Sequence, residues 1–269
     1  MNDLRTDILA KAVSSTGKPE FFNNLTAFLK SILPFENVLV LVFNGEATPT
    51  PILVQASGED VFSKLEDTYL SATYVLDPVY HFHTQREQAG IYWLGEMAPD
   101  NFFRTHYYKW YYGRIGILDE ITVFHPVNES TTITVSMGTD TASGMRFSTK
   151  HEKALKKIGP VIHALIESDW DIRKQLKHPK KSGDSLPENL KNLIKARHGV
   201  KLSNRQAQIA FMILRGHSSP SIAGELEISP QTVKVFRRQL YTKCKITSQS
   251  ELFNMMLPLL GEISAFSNE

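Results

Sequence analysis

The apolar residues Phe21, Phe22, Leu25, Phe28, Leu29 and Ile32 recur at helical spacing within PEFFNNLTAFLKSIL (19–33), which predicts a helix with one buried face. The run NVLVLVF (37–43) is apolar without interruption, the pattern of a strand covered on both faces. Thr and Pro at 48–51 break the chain, and ILVQAS (52–57) is predicted as the hairpin partner. A helix is expected over 59–73, a short strand over 90–94 and a helix over 101–112. LDEITVFHPV (118–127) and TTITVSMGT (131–139) are predicted as two strands joined at Asn128 and Glu129. Ser148 caps a long helix to about residue 176, with a kink expected at Gly159 and Pro160. Helices interleaved with a few strands predict an α+β chain whose first part is an antiparallel sheet covered by helices, an α/β/α sandwich.

The segment KHPKKSGDSLP (177–187) has linker composition and little to bury. It divides the chain into a first domain (1–176), a linker (177–186) and a second domain (187–269). The second domain reads as all-helical, with four helices. LSNRQAQIAFMILRG (202–216) opens with Ser203 and Gln206 in capping-box spacing and ends at Gly216. HSSPSIAGELEIS (217–229) holds a second short helix, capped by Ser218, with Pro220 in its first turn. SPQTVKVFRRQLYTK (229–243) starts on the Ser229 cap, and SQSELFNMMLPLL opens with a box between Ser248 and Glu251. Two short helices joined tightly, the second capped and basic, make a helix-turn-helix.

Helical spacing assigns the faces of the 229–243 helix. Val233, Phe236 and Leu240 turn inward, leaving Lys234, Val235 and Arg238 outside. Lys and Arg there suit guanine or phosphate, and Val235 suits a thymine methyl. Thr232, Arg237, Tyr241 and Lys243 flank that face, where backbone contacts set register. In the last helix Leu252, Phe253, Met256 and Leu257 form an apolar stripe, fit either for pairing two copies or for packing within the domain.

Charge sharpens this picture. The net +2 is the balance of −5 over residues 1–176 and +7 over 177–269, so the second domain is the one suited to a polyanion. No apolar run reaches the roughly 18–20 residues that span a bilayer. The single cysteine, Cys244, excludes an internal disulfide and a multi-cysteine zinc site. A cytoplasmic protein without cofactor or membrane partner is expected.

The segment from Leu202 to Leu252 resembles the DNA-binding domain of LuxR-type transcription regulators. The matching marks include Leu202-Ser203, Arg205, Gly216, Ser218, Ile222-Ala223, Ile228-Ser229, Thr232-Val233-Lys234-Val235 and Ser248-x-x-Glu251-Leu252. Gln206 stands where the family usually has Glu, and Glu227 where it often has Gly. The resemblance implies sequence-specific binding of double-stranded DNA by a homodimer on a palindromic site, with activation the more common outcome.

What switches such a head is the remaining question. A phosphoacceptor receiver domain needs acids clustered after its first strand, and only Glu46 follows here. No nucleophile elbow, Gly-rich phosphate loop or HExxH pattern is present, and His81 and His83 lack partner ligands, so neither catalytic residues nor a metal site are expected.

A ligand cavity is the alternative, in a layout like that of GAF and PAS sensor domains. Seven of the eleven residues from Phe102 to Tyr112 are aromatic. On one helix Phe103, Tyr107, Trp110 and Tyr111 share a face, and Tyr107, Trp110 and Tyr111 are candidates to wall a small-molecule site, core packing being the bland reading. Asp119 and Glu120 begin an otherwise apolar strand, so alternation buries one of them. Its partner is Arg114 or a cationic effector.

The segment 68–96 further resembles the autoinducer-binding domains that precede LuxR-type heads, through Tyr69, Asp77-Pro78 and Trp93, with Leu65 where those carry Trp. That resemblance implies ligand contacts from Tyr69, Asp77 and Trp93. The expectation is a transcriptional regulator controlled by a small-molecule effector. The competing one is a regulator whose first domain only dimerises or binds a protein partner.

Overall fold

A computed structural model describes residues 3–58, 61–63, 65–71, 73–174 and 186–266. In its sheet β1 (Asn37–Asn44) hydrogen-bonds on one side to β2 (Thr50–Gln55) and on the other to the central strand, β5 (Thr131–Asp140). β4 (Ile117–Pro126) and β3 (Gly90–Trp93) complete an antiparallel sheet of order β2-β1-β5-β4-β3. The period of two along a strand divides the core. Val38, Val40, Ile121, Val123, Ile133, Val135 and Met137 face one layer of helices. Leu39, Leu41, Phe43 and Phe124 face the other.

The first layer is α1 (Asp3–Ser14), α2 (Phe21–Lys30) and α7 (Thr149–Lys174). The predicted apolar stripe of α2 is its buried face. α7 runs on through Pro160, and Gly159 lets it approach Ile91 of β3, where an added Cβ would come within 3.2 Å. Asp169 of α7 is fully buried and accepts from the Gly17 amide at 2.8 Å and Arg173 Nε at 2.6 Å, tying the α1–α2 turn to the last helix of the domain. α1 went unread in the sequence because it has no apolar stripe; of its residues Ala12 is the one buried in the core.

The second layer departs from prediction. The described part of 59–73 is a π-helical turn over Leu65–Leu70, followed by a 3₁₀ turn over Thr73–Leu76 and α3 (Pro78–Gln85). Beyond β3 come α4 (Leu94–Met97) and then, in place of one helix over 101–112, a 3₁₀ turn (Phe102–Arg104), α5 (His106–Trp110) and α6 (Tyr112–Ile115). Thr105 causes the first break: at φ −67° and ψ 158° it is extended, and its hydroxyl accepts from the Tyr108 amide at 3.0 Å to start α5 afresh.

The second domain comprises α8 (Leu186–His198), α9 (Asn204–Arg215), α10 (Ser219–Glu225), α11 (Pro230–Cys244) and α12 (Gln249–Phe266). The expected linker falls almost wholly outside the described residues. Ser203, Ser218 and Ser229 cap α9, α10 and α11, and Gln206 closes the box on Ser203. Glu227 holds φ 52° in the turn before α11, a left-handed conformation that accounts for the glycine common there in LuxR-type heads.

One apolar cluster continues from the second face of the sheet into the helical domain. Arg215 reaches from α9 to the Val75 carbonyl at 3.0 Å and His81 Nδ1 at 2.9 Å. The Ser218 amide donates to Asp100 Oδ1 at 3.1 Å, and the Asn101 amide to the Gly216 carbonyl at 3.1 Å. Gly216 sits at φ 99° where a Cβ would come within 2.8 Å of Phe102 Cα. Gly144 is also left-handed, at φ 63°, but faces open space. Gly144→Ala is therefore expected to lose about 1–2 kcal/mol from backbone strain alone, and Gly216→Ala distinctly more, because it also pushes the domains apart. Urea denaturation of the full chain measures both; equal losses would show that the domains do not meet at Gly216.

Candidate functional site

On α11 the faces follow from helical spacing. Val233 and Leu240 are fully buried and Phe236 half-buried, while Lys234, Val235 and Arg238 are exposed, Val235 by 47%. The Ser229 hydroxyl accepts from the Thr232 amide at 3.0 Å, and Thr232 spends its own hydroxyl on Ser229 at 2.8 Å. Arg237 lies along the Tyr241 ring, 5.4 Å from its centroid, with its guanidinium donating to the phenol oxygen at 3.2 and 3.3 Å. Lys243 does not flank this face. Its Nζ folds back to the Lys201 carbonyl and Gln206 Oε1, each at 2.9 Å, because it follows the inward turn of Leu240. An open groove joins Lys234, Arg237, Arg238 and Tyr241 to Ser219, Lys245 and Thr247. Lys245 was missed by reading helices alone: it is the left-handed residue that ends α11.

The first domain holds a cavity between the sheet and the aromatic segment. Strand register builds its floor. Asn37, Gly138 and Glu120 lie in one row across β1, β5 and β4; Leu39, Ser136 and Thr122 form the next; Leu41, Thr134 and Phe124 the third. These residues alternate with the apolar ones that face α2 and α7, so all nine belong to the opposite face. Tyr69, Asp77, Tyr111 and Tyr112 form the roof. The space among the lining atoms, together with the solvent it opens to, is about 480 Å³. Of this, about 40 Å³ admits the centre of a water, room for about three.

Asp77 is 3% exposed and caps α3: Oδ1 accepts from the Val79 amide at 2.8 Å, and Oδ2 from the Tyr112 and Tyr107 hydroxyls at 3.2 and 3.4 Å. Burial nevertheless pushes its pKa up to about 6, outweighing those donors. Glu120 is half-buried, its accessible part bordering the cavity, and accepts from the Thr122 hydroxyl at 3.2 Å. Burial, then the charge of Asp77, raises its pKa to about 7. The Thr134 hydroxyl is buried at the floor without a partner.

Of the residues expected to contact a ligand, Tyr69, Asp77, Tyr111 and Glu120 line this cavity, and Tyr107 stands behind it, stacked on Tyr111 at 5.7 Å. Trp93 and Asp119 border a separate surface hollow with Phe103 and Arg146. Asp119 points away from Glu120, as strand alternation requires, and accepts from the Phe147 amide at 3.0 Å. Trp110 faces the second domain, where it and His106 meet the Phe253 ring at 5.8 and 5.0 Å. Leu252, Phe253 and Met256 are all buried within the chain, where α12 packs on α8 and α9 as well as on α5. Arg114 pairs with neither acid; it is exposed over the Trp110 ring at 5.5 Å. Sequence reading missed Tyr112, Thr134 and Ser136. The period-two polar positions within TTITVSMGT were the available signal.

Among the described residues no group of His, Cys, Asp and Glu is arranged to hold a metal ion, and no helix is long and apolar enough to cross a membrane. Residues 200–256 match the family model described as bacterial regulatory proteins, luxR family. An Aeromonas salmonicida protein, named as an HTH-type transcriptional regulator in the exeN 3′ region, is 27% identical over 188 residues, 67% of this chain and 93% of that one. The response regulator GacA of Pseudomonas aeruginosa is 45% identical over 51 residues, 19% of this chain and 24% of its own length. The VqsR LBD domain from Pseudomonas aeruginosa shares the fold, with TM-score 0.55 and 21% identity over 64% of this chain and 99% of that one.

Both cavity acids titrate higher in the folded chain than in the unfolded one, so their contribution to stability is complete below the unfolded values and is lost as pH rises through about 6 for Asp77 and about 7 for Glu120. His81, His163 and His217, pushed down by burial to about 3, 4 and 4, act with the opposite sign at lower pH. The difference between wild type and a variant isolates the acids. Glu120→Gln is expected to melt near wild type at about pH 5 and increasingly above it towards about pH 8. Thermal melts across that range measure it, and a pH-independent offset would contradict the assignment.

Proposed function

We propose that this transcriptional regulator of LuxR type, whose carboxyl-terminal domain is a luxR-family helix-turn-helix, reads DNA with α11 and is governed by a small effector in the tyrosine-walled cavity. The observation that carries the reading is the outward face of α11: two cations and a valine side by side on a capped helix, beside a groove that gathers Arg237, Tyr241 and Lys245. A helix of this kind fits the major groove, with Lys234 and Arg238 donating to base edges or phosphates and Val235 packing on a methyl group. Two copies on a two-fold symmetric duplex, acting as an activator, are what the family resemblance adds.

The route from effector to head runs through α5. Its Tyr107 and the Tyr111 that ends it belong to the cavity side, and its His106 and Trp110 press on Phe253 of α12. A ligand that prefers a different seat for Tyr111 biases the contact on the other face of the same short helix. The shift is limited to the ligand's differential affinity for the two arrangements. Release of α12 from α5 would uncover Phe253 for a second copy. This supports control by an effector over a first domain that serves only to dimerise.

The test starts by selecting duplexes from a random library with the full chain, then measures affinity for the selected site. Lys234→Ala and Arg238→Ala are each expected to lose about 1–3 kcal/mol, roughly 5- to 150-fold in affinity. Lys243→Ala should lose less, since its amine is spent within the domain. Affinity should fall steeply with salt. Unchanged affinity in both of the first two variants would overturn the face assignment.

A further inference from the structure

We propose that the cavity receives a small organic cation, with an ammonium head group held between Asp77 and Glu120 and faced by the rings of Tyr69 and Tyr111. This rests on the reading of the cavity as the effector site and names the class of effector. Donor and acceptor accounting carries it. Asp77 and Glu120 border the same cavity, and no Lys, Arg or His is among the residues that line it. The titratable groups around Glu120 are Asp77 at the N-cap of α3, Tyr69 on the π-helical turn, Tyr111 at the end of α5, Tyr112 of α6 and Asp119 beside it on β4. Every one is an acid or a phenol. Arg114, the cation that the sequence offers nearest, lies outside over Trp110.

Both carboxylates and the Thr134 hydroxyl offer lone pairs to the cavity, and the donors left there without a partner are the Asn37 side-chain amide and the Thr134 O–H. The Tyr107 and Tyr112 hydroxyls are already directed at Asp77. The Thr134 hydroxyl, on a residue 1% exposed, borders the cavity with no partner and offers two lone pairs. An ammonium group brings three donors and no acceptor, which matches Asp77, Glu120 and Thr134. A lactone or carboxylate finds the Asn37 amide as a donor but brings its remaining acceptors against two carboxylates. Ring faces reinforce the choice: Tyr69 and Tyr111 stack at 5.4 Å and line the cavity, and a cation over such a face is attracted by the ring quadrupole. The free core holds about three waters' worth of volume, so the head group is compact, with its body lying along Leu39, Leu41 and Ile115.

The raised pKa values of both acids fit this arrangement, because they measure charge left without compensation in the cavity. A bound cation lowers both, so binding releases protons near neutral pH. A neutral ligand does not.

Titration calorimetry on the full chain tests the proposal with ethylamine, putrescine and phenethylamine, each against its alcohol counterpart, and with butanoyl-homoserine lactone. Running each in phosphate and in Tris at about pH 7 reads the protons exchanged. At least one amine is expected to bind about tenfold or more tightly than its alcohol, with proton release, and to lose about 10–100-fold in affinity in Glu120→Gln or Asp77→Asn. The proton count on wild type keeps the test decisive should either variant fold poorly. Equal binding of amines and alcohols, or tight lactone binding without proton release, would overturn the cation while leaving the cavity as effector site. Binding by none of the probes would overturn the cation and remove support for the effector reading, whereas the DNA measurements would stand.

Discussion

Two carboxylates on one face of a central sheet, without a cation among the residues around them, cost free energy, and much of the first domain is arranged to offset that cost. Asp77 receives a backbone amide and two phenols. Glu120 receives a threonine hydroxyl that is itself bonded to Ser136 at 2.8 Å. These donors come from α3, α5, α6 and two strands, so the acids fasten the aromatic segment to the sheet. The offset remains incomplete, which is why both groups hold their protons into the neutral range. A site of that kind is poised to respond to whatever neutralises it.

The aromatic segment answers two demands at once. Had 101–112 been one helix, its rings would have been spread around a cylinder. The break at Thr105 and the turn at Tyr111 instead gather Tyr69, Tyr107 and Tyr111 into a stack above the acids. His106 and Trp110 are left for α12. α5 and the Tyr111 that ends it therefore touch both the cavity and the helix-turn-helix domain. Because packed interfaces shift between discrete arrangements rather than deforming smoothly, a small displacement at such an element is transmitted and not absorbed.

The second domain follows local rules closely. Each of its three central helices begins on a serine whose hydroxyl accepts a backbone amide, and α9 and α11 end on left-handed residues. The outward face of α11 is set by its own cap and helical spacing. The domain's α12, by contrast, packs on α8 and α9 and also meets His106 and Trp110 of α5 through Phe253, so it is the helix of this domain that the aromatic segment touches.

Elements whose reasons are local were legible from the residues alone: the uninterrupted apolar run of β1, the stripe of α2, the serine caps, and the faces of α11. Asp77 and Glu120 were legible as acids in unusual places. Helical spacing over 59–73 and 101–112 misled, because there the chain gives up regular hydrogen bonding to fit aromatic rings and capping groups into a shared core. Only the tertiary structure decided which acid turns inward, that Arg114 partners neither, that Thr134 and Ser136 join the cavity, and that Trp110 faces the other domain. Each depends on strand register or domain docking, which bring together residues far apart in the chain, and no pattern of neighbouring side chains encodes that distance.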